Sequence, residues 1–332
     1  MKITVIIPNY KGKDYIRPCL DSLREEQTRY SGSEPDGSPL FKVLVVDNGS
    51  TDGGPEIVRR EYPEVTLKEL AENTGFCHAV NLGIRAADTP YVLLLNNDTV
   101  VKPGFIQALL KRMESDARIF SVSPLMLSMG DESKVDDAGD RYNAMGWAFA
   151  RGKGRPAERY RKPARIFAAC GGASLYRREA VLELGGFDEN HFAYLEDIDI
   201  GYRARIHGWY NVYEPGATVL HAGSAVSGSR HNAFKVKLSS ANNAYMIGKN
   251  MPLLQIFLNF PFLFLGFCIK TVYFAKKKMG MLYLKGYAEG IARCFGNAGK
   301  EHKVRFKWHN LWNYCCIQGT LWLDMVRIFI KS

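Results

Sequence analysis

Tyr91-Val-Leu-Leu-Leu-Asn-Asn-Asp98 decides the fold: five apolar residues run without a break into three polar ones. A strand with one wet face would alternate, so an unbroken apolar run reads as a strand covered on both faces. Working outward, Ile3–Ile7 is a second such run, ending at Pro8-Asn9-Tyr10. Phe41–Val46 is a third, ending at Asp47-Asn-Gly-Ser-Thr-Asp52, and Val65–Glu69 reads as an exposed strand. Helical patterns lie between them. One spans Tyr15 to Arg24 with Ile16, Leu20 and Leu23 on one face. Another passes through Ile57 and Val58, capped by Ser50 or Asp52, and a third covers Ala79–Ala87. Strands alternating with helices predict an α/β fold with a mostly parallel sheet. In such sheets ligands bind at the carboxyl ends of the strands, so Asn9, Asp47 and Asp98 should converge on one crevice. Polar residues after strands are also ordinary turn formers, and that reading stays open.

Further along, residues 28–39 read as a polar loop, and residues 128–165 as a long, partly mobile loop over the crevice. Core character resumes over Ile166–Tyr176, and a helix from Arg178 to Leu184 stops at Gly185-Gly186. Then Glu196, Asp197 and Asp199 stand within four positions, with Leu195, Ile198 and Ile200 among them. Crowded, part-buried carboxylates have raised pKa values, which suits a general base or a group poised near a cation. The same residues also suit the acidic start of a helix ending at Arg203 and Arg205. His221 closes another apolar segment, Val219-Leu-His-Ala-Gly-Ser224. A hard divalent cation holding a diphosphate takes one or two carboxylates, tolerates a histidine and keeps positions open for phosphate oxygens. Asp98 and His221 are candidates for it, although a lone histidine also satisfies core hydrogen bonds. No Walker A motif and no G-x-G-x-x-G follow the first strand, so neither a P-loop nor a dinucleotide site is anchored.

The 332 residues allow one large α/β domain with an appendage, or two domains. The formal charge of +10 is uneven: residues 276–332 carry a net +8. Seven scattered cysteines without a C-x-x-C pair predict free thiols in a reducing compartment. Because Lys2–Ile7 already reads as structure, no signal peptide is expected and the body is placed in the cytosol. Leu253–Ala275 is the most apolar stretch, about 34 Å long as a helix and so long enough to span a bilayer. A single span from a cytosolic body would export Lys276-Lys-Lys278 and the basic tail, against the positive-inside rule. An in-plane or re-entrant segment puts those lysines at an anionic leaflet instead. Trp308, Trp312 and Trp322, the last in the apolar run Leu321–Ile330, supply the aromatics of an interfacial anchor. A helical subdomain or a homodimer interface remains the other reading. Nucleic acid is not expected, since the basic residues sit among long apolar runs.

The motifs together resemble the family 2 inverting glycosyltransferases of GT-A fold, most closely a rhamnosyltransferase-like branch. The resemblance runs through Val5-Ile-Ile-Pro-Asn-Tyr10, Val45-Val-Asp-Asn-Gly-Ser-Thr-Asp52, Glu72-Asn-Thr-Gly-Phe76 with Asn81 and Gly83, and Leu93-Leu-Leu-Asn-Asn-Asp98. It continues through Gly171-Gly-Ala-Ser-Leu-Tyr-Arg177, Gly185-Gly-Phe-Asp-Glu189, Phe192-Ala-Tyr-Leu-Glu-Asp-Ile-Asp199, His221 and Ser224. It implies a Rossmann-like nucleotide-sugar-binding catalytic domain over residues 1–235 with a mixed, mostly parallel sheet. Residues 236–332 would form a helical, basic, aromatic-rich membrane-associating region.

The resemblance also implies roles. Pro8, Asn9, Tyr10, Asp47, Asn73, Gly75, Asn96, Asn97 and Gly172 would bind the nucleotide sugar, dTDP- or UDP-linked. Asp98 and His221 would hold Mg²⁺ or Mn²⁺. Asn96 stands where the family usually has the first Asp of Asp-x-Asp, which leaves one fewer charge for the metal. Asp197 would be the base, Glu196 would orient the acceptor and Asp199 would support the loop. The expected function is inverting, non-processive transfer of a sugar, dTDP-rhamnose first and UDP-hexose second, to a lipid-linked or cell-surface polysaccharide acceptor. The expected site is the cytoplasmic face of the cell membrane, reached as a peripheral or monotopic protein. A catalytically silent sugar-nucleotide or glycan-binding protein is the alternative of another class, and a nucleotidyltransferase the rival enzyme.

Overall fold

The apolar runs do become doubly covered strands. Ile3, Val5, Ile6, Ile7 and all of Val92–Leu95 are inaccessible to water in the computed structural model, which describes residues 1–30, 37, 39–223 and 232–327. The chain alternates β1 (Ile3–Asn9), α1 (Ile16–Arg29), β2 (Phe41–Asp47), α2 (Gly54–Glu61), β3 (Thr66–Glu69), α3 (Phe76–Ala86) and β4 (Tyr91–Leu95). β4, β1, β2 and β3 are parallel neighbours in that order. One face of these strands (Ile3, Val5, Ile7) packs on Ile16, Leu20 and Leu23 of α1. The other (Ile6, Leu44, Val46) packs on Val80 and Ile84 of α3. Burial on both faces is why the strands carry no polar alternation.

The second half of the sheet is built from β5 (Thr99–Val101), α4 (Phe105–Glu114), β6 (Ile119–Ser128), β7 (Asp131–Asp137), β8 (Asp140–Tyr142), β9 (Ala148–Ala150), β10 (Ala164–Ile166), β11 (Ala173–Arg177), α5 (Arg178–Glu183), α6 (Glu196–Ile206) and β12 (Tyr210–His221). β11 inserts antiparallel between β4 and β6, so the sheet is mixed, ordered β10-β12-β6-β11-β4-β1-β2-β3. β7 pairs with β6, β5 with β12, and β8–β9 form a separate hairpin.

The segment expected as a long mobile loop, 128–165, is corrected by this arrangement: it holds β7, β8, β9 and β10, and Asn143 and Tyr142 are fully buried. β7 folds back on β6 and β8 on β9, while β10 pairs with the distant β12; β8, β9 and β10 are three residues each, too short for a periodicity to announce them. Most of the expected polar loop 28–39, and Ser224, lie outside the described residues.

The C-terminal region is helical: α7 (Ala233–Asn250), α8 (Leu253–Lys276), α9 (Gly280–Phe295), α10 (Asn297–His302) and α11 (Leu311–Arg327). α7 is fastened to the body by charge. Lys249, 2% exposed, donates to Asp188 at 2.6 Å and to Asp199 at 2.8 Å. α9 lies close on α7 because Gly286 and Gly290 face it; a Cβ on Gly290 would sit 2.0 Å from the Ala241 carbonyl oxygen. α8 is long and apolar enough to cross a membrane, and 22% of its most apolar stretch is buried. Phe257 is 77% exposed on it, and Trp308 and Trp312 beyond it are 80% and 75% exposed. The end of the expected apolar run Leu321–Ile330 lies outside the described residues.

Candidate active site

Parallel pairing brings the ends of β1, β2 and β4 to one edge, with Asn9 level with Asp47. There Asn9 is a bridge. Its Nδ2 donates to Asp47 Oδ1 at 2.6 Å, and its Oδ1 accepts from Asn97 Nδ2 at 2.6 Å. Gly12 makes this approach possible, since a Cβ there would lie 2.0 Å from Asn97 Nδ2. Asp47, 2% exposed, spends its other oxygen on the Ser50 amide at 2.8 Å. Asp47 therefore holds Asn9 in place at the crevice edge. Asn48, absent from the sequence-based set, donates to Asn73 Oδ1 at 3.1 Å and to the Gly75 carbonyl at 2.9 Å. A crevice of about 620 Å³ opens above this edge. Pro8, Asn9, Tyr10, Asn73, Asn96, Asn97, Asp98, Gly172, Glu196, Asp197 and His221 line it; Asp47, Gly75 and Asp199 do not.

The acidic triplet starts α6, as the capping reading expected, and the helix divides its members. Asp197 faces the crevice, accepting from the Ile198 amide at 2.7 Å and the Gly171 amide at 3.3 Å. Burial outweighs those bonds, so its pKa is raised above the ordinary carboxylate value. Glu196 is 7% exposed with Oε2 unpartnered, and burial with the neighbouring Asp197 charge pushes it up to about 8. Asp199 turns inward. It is fully buried, and burial alone would raise its pKa. Lys249 and Arg203 overrule that and hold it well below the carboxylate range. Arg203 donates to it at 2.9 Å, and Asn250 donates to its other oxygen at 2.8 Å. Asp199 thus ties α6 to α7 through Lys249 and Asn250.

The loop that delivers these carboxylates is strained. Phe192, Tyr194 and Leu195 have φ of 61°, 71° and 66°, a region that costs a non-glycine residue free energy. The fully buried Asn242 of α7 holds it there, its amide donating to the carbonyls of His191, Ala193 and Tyr194 at 2.8, 2.8 and 2.9 Å. Arg293 of α9 fixes Asn242 in turn, donating to its Oδ1 at 3.1 Å. The C-terminal helices are therefore part of the scaffold that aims Glu196 and Asp197.

Also lining the crevice, His221 Nε2 lies 3.3 Å from Asp98 Oδ1, and its Nδ1 lies 2.8 Å from Asp136. Burial lowers the His221 pKa, but the bonds to Asp136 and Asp98 outweigh it and raise it to about 9. The set suits a divalent cation: a carboxylate oxygen and an imidazole nitrogen face each other, and a second carboxylate orients the far ring nitrogen, as around ligating histidines generally.

Sequence reasoning missed Asp136 and Asp140. Burial and the nearby Asp137 and Asp197 charges raise the Asp140 pKa well above the ordinary carboxylate value, and its hydrogen bond to Asp197 lowers the Asp197 pKa in turn. The signal was legible. Asp136-Asp-Ala-Gly-Asp140 crowds three carboxylates into five positions, nearly as tightly as the four of 196–199, but it fell inside a stretch read as loop.

Comparison with known proteins shows the family and the fold. The glycosyl transferase family 2 profile matches residues 4–185, ending short of Glu196–Asp199 and His221. The chain is 35% identical over 207 residues to N-acetylglucosaminyl-diphospho-decaprenol L-rhamnosyltransferase of Mycobacterium tuberculosis. That alignment covers 54% of this chain and 66% of the relative, so the chain spans just under two thirds of its length. Among solved structures, the mannosyltransferase PcManGT from Pyrobaculum calidifontis, in complex with GDP-Man and Mn²⁺, aligns over 100% of this chain and 88% of its own, with a TM-score of 0.53 at 16% identity. GalNAc-T7 with UDP, GalNAc and Mn²⁺ aligns over 75% of this chain and 48% of its own, with a TM-score of 0.57 at 16% identity. Both likenesses are of fold. The sheet with its polar carboxyl edge is the GT-A arrangement, and the chain belongs to glycosyl transferase family 2.

Proposed function

We propose that the chain is an inverting, non-processive glycosyltransferase working by a single displacement at the anomeric carbon. The observation that carries the reading is Asp197, a carboxylate of raised pKa facing the crevice that Asp98 and His221 also line. Single displacement needs a base on the face away from the leaving diphosphate and no covalent nucleophile. Asp197 takes the proton of the acceptor hydroxyl as that oxygen attacks. Asp140 donates to Asp197 and keeps its pKa from rising further. Glu196, with one oxygen unpartnered, orients the acceptor.

Pro8, Asn9, Tyr10, Asn73, Asn96, Asn97 and Gly172 bind the nucleotide sugar, while Asp47 and Gly75 support that wall from behind. Asp98 and His221 would hold Mg²⁺ or Mn²⁺, which supplies positive charge to the leaving diphosphate. The likeness to the mycobacterial transferase favours dTDP-rhamnose as donor, UDP-hexose next, and a lipid-linked glycan as acceptor. The exposed apolar face of α8 and the basic tail support reading 1–235 as the catalytic part and 236–332 as a membrane-associating part that also braces the site. The reading puts the enzyme's work at the cytoplasmic face of a membrane, as a peripheral or monotopic protein.

The test is a donor panel scored by nucleotide release, run with and without lipid-linked acceptor. Release from dTDP-rhamnose that depends on acceptor, stops in EDTA and returns with Mn²⁺ or Mg²⁺ is the expected result. Undiminished turnover in chelator would remove the metal assignment, and release from no donor would remove the enzyme reading.

A further inference from the structure

Beside the crevice, and continuous with it through Tyr194, Leu195 and Lys235, lies a second cavity of about 670 Å³. Its walls come chiefly from α7, α8 and α9, and no acidic residue lines it. Two lysines do, Lys235 and Lys270. Lys270 is half-buried, with its ammonium 5.7 Å from the centre of the Trp147 indole. Among the described residues no carboxylate or hydrogen-bond acceptor meets it. A cation drawn out of water costs free energy that an aromatic face offsets only in part, so the arrangement is complete only when an anion enters.

The outer rim points to what carries that anion. Ile269 and Tyr273 line the cavity while remaining 43% and 42% exposed. From them the apolar surface of α8 continues outward through Leu265 and Phe264, 51% and 58% exposed. The inner end opens on the wall that bears Glu196 and Asp197. An anion site thus stands between an apolar track and the acceptor side of the crevice, the order of chain, phosphate and sugar in a lipid-linked glycan.

We propose that this cavity binds the phosphate or diphosphate of a lipid-linked acceptor, with Lys270 and Lys235 holding the anion and the lipid chain leaving along α8. The first sugar then reaches past Tyr194 toward Asp197. The assignment rests on the lipid-linked acceptor of the proposed function, and it adds the site and the chemistry that recognises it.

The experiment is a titration of the full chain in detergent with farnesyl diphosphate, the donor crevice being saturated with dTDP. Lys270→Met, which keeps the stem against Trp147 and removes the charge, should weaken farnesyl diphosphate at least tenfold and leave dTDP affinity unchanged. Lys270→Arg should restore most of the binding. Equal affinity in wild type and Lys270→Met would overturn the site. Inorganic pyrophosphate binding as tightly as farnesyl diphosphate would overturn the lipid assignment. The two proposals fail separately. Lys270-dependent farnesyl diphosphate binding without transfer to any lipid-linked acceptor upholds the site and removes the acceptor reading. Transfer to such an acceptor with an unchanged KM in Lys270→Met upholds the reading and removes the site.

Discussion

Asp197 and Asp199 are two residues apart on one helix and live in opposite worlds. Asp197 looks into the crevice with Glu196 and Asp140, and burial raises all three pKa values. Asp199 looks under the crevice with Asp188, and Lys249 holds both below the usual carboxylate range. The first group keeps uncompensated carboxyls where a substrate enters. The second is compensated by buried cations and joins α6 to α7. The difference teaches that a crowd of acids is neither all catalytic nor all structural; one helical turn sorts it by face. The structural set also fixes the other, because α7 carries both Lys249 and the Asn242 that clamps the strained loop before Asp197.

The comparison can be broken by removing one member of each set. The largest effect belongs to Asp197→Asn, which should lower kcat by about 10²- to 10⁴-fold while donor affinity, read by calorimetry, stays near wild type. Full activity would break the assignment of base. Next is Lys249→Met, which leaves Asp188 and Asp199 buried without their shared cation. It should cost about 3–5 kcal/mol in a denaturant titration, and a loss below about 1 kcal/mol would show the network to be solvated.

A subtler division concerns Asp140. Asp140→Ala removes the proton donor that lowers the Asp197 pKa, so the acid limb of kcat/KM should move to higher pH by about half a unit to one unit. Asp140→Asn retains a donor and should leave that limb near its original position; identical profiles for both variants would argue against the contact.

The smallest effect is on stability against pH. Glu196 is raised from 4.5 to about 8, so its contribution is present below about pH 4.5 and is lost as pH rises through 8. Asp188 and Asp199 are depressed, so theirs is present above about pH 4 and is lost on acidification. Glu196→Gln should therefore raise Tm by about 2–4 °C above pH 8 and converge on wild type near pH 4. A Tm difference that does not change with pH would refute the shift.

Much of this was legible before the fold was known, and the failures have one cause. The unbroken apolar runs at 3–7, 41–46 and 91–95 announced buried parallel strands, and the polar residues after them announced the crevice edge. Asp197 and the helix start at Glu196 were both readable, because charge crowding and capping are local signals. Residues 128–165 were not, since β8, β9 and β10 are three residues each, too short to show a period, and β10 pairs with β12 far away in sequence. Asp136 and Asp140 were lost with them.

The sequence by itself determined the layered α/β body, the polar edge at the ends of its parallel strands and the apolar, basic tail, all of which depend on residues near one another in the chain. Only the tertiary structure decided which acids stay unpaired. Asp197 meets Asp140 and Asp199 meets Lys249 across 57 and 50 positions of sequence. A carboxylate's pKa follows from what lies within a few ångströms of it in space, and a sequence read along its length does not contain those distances.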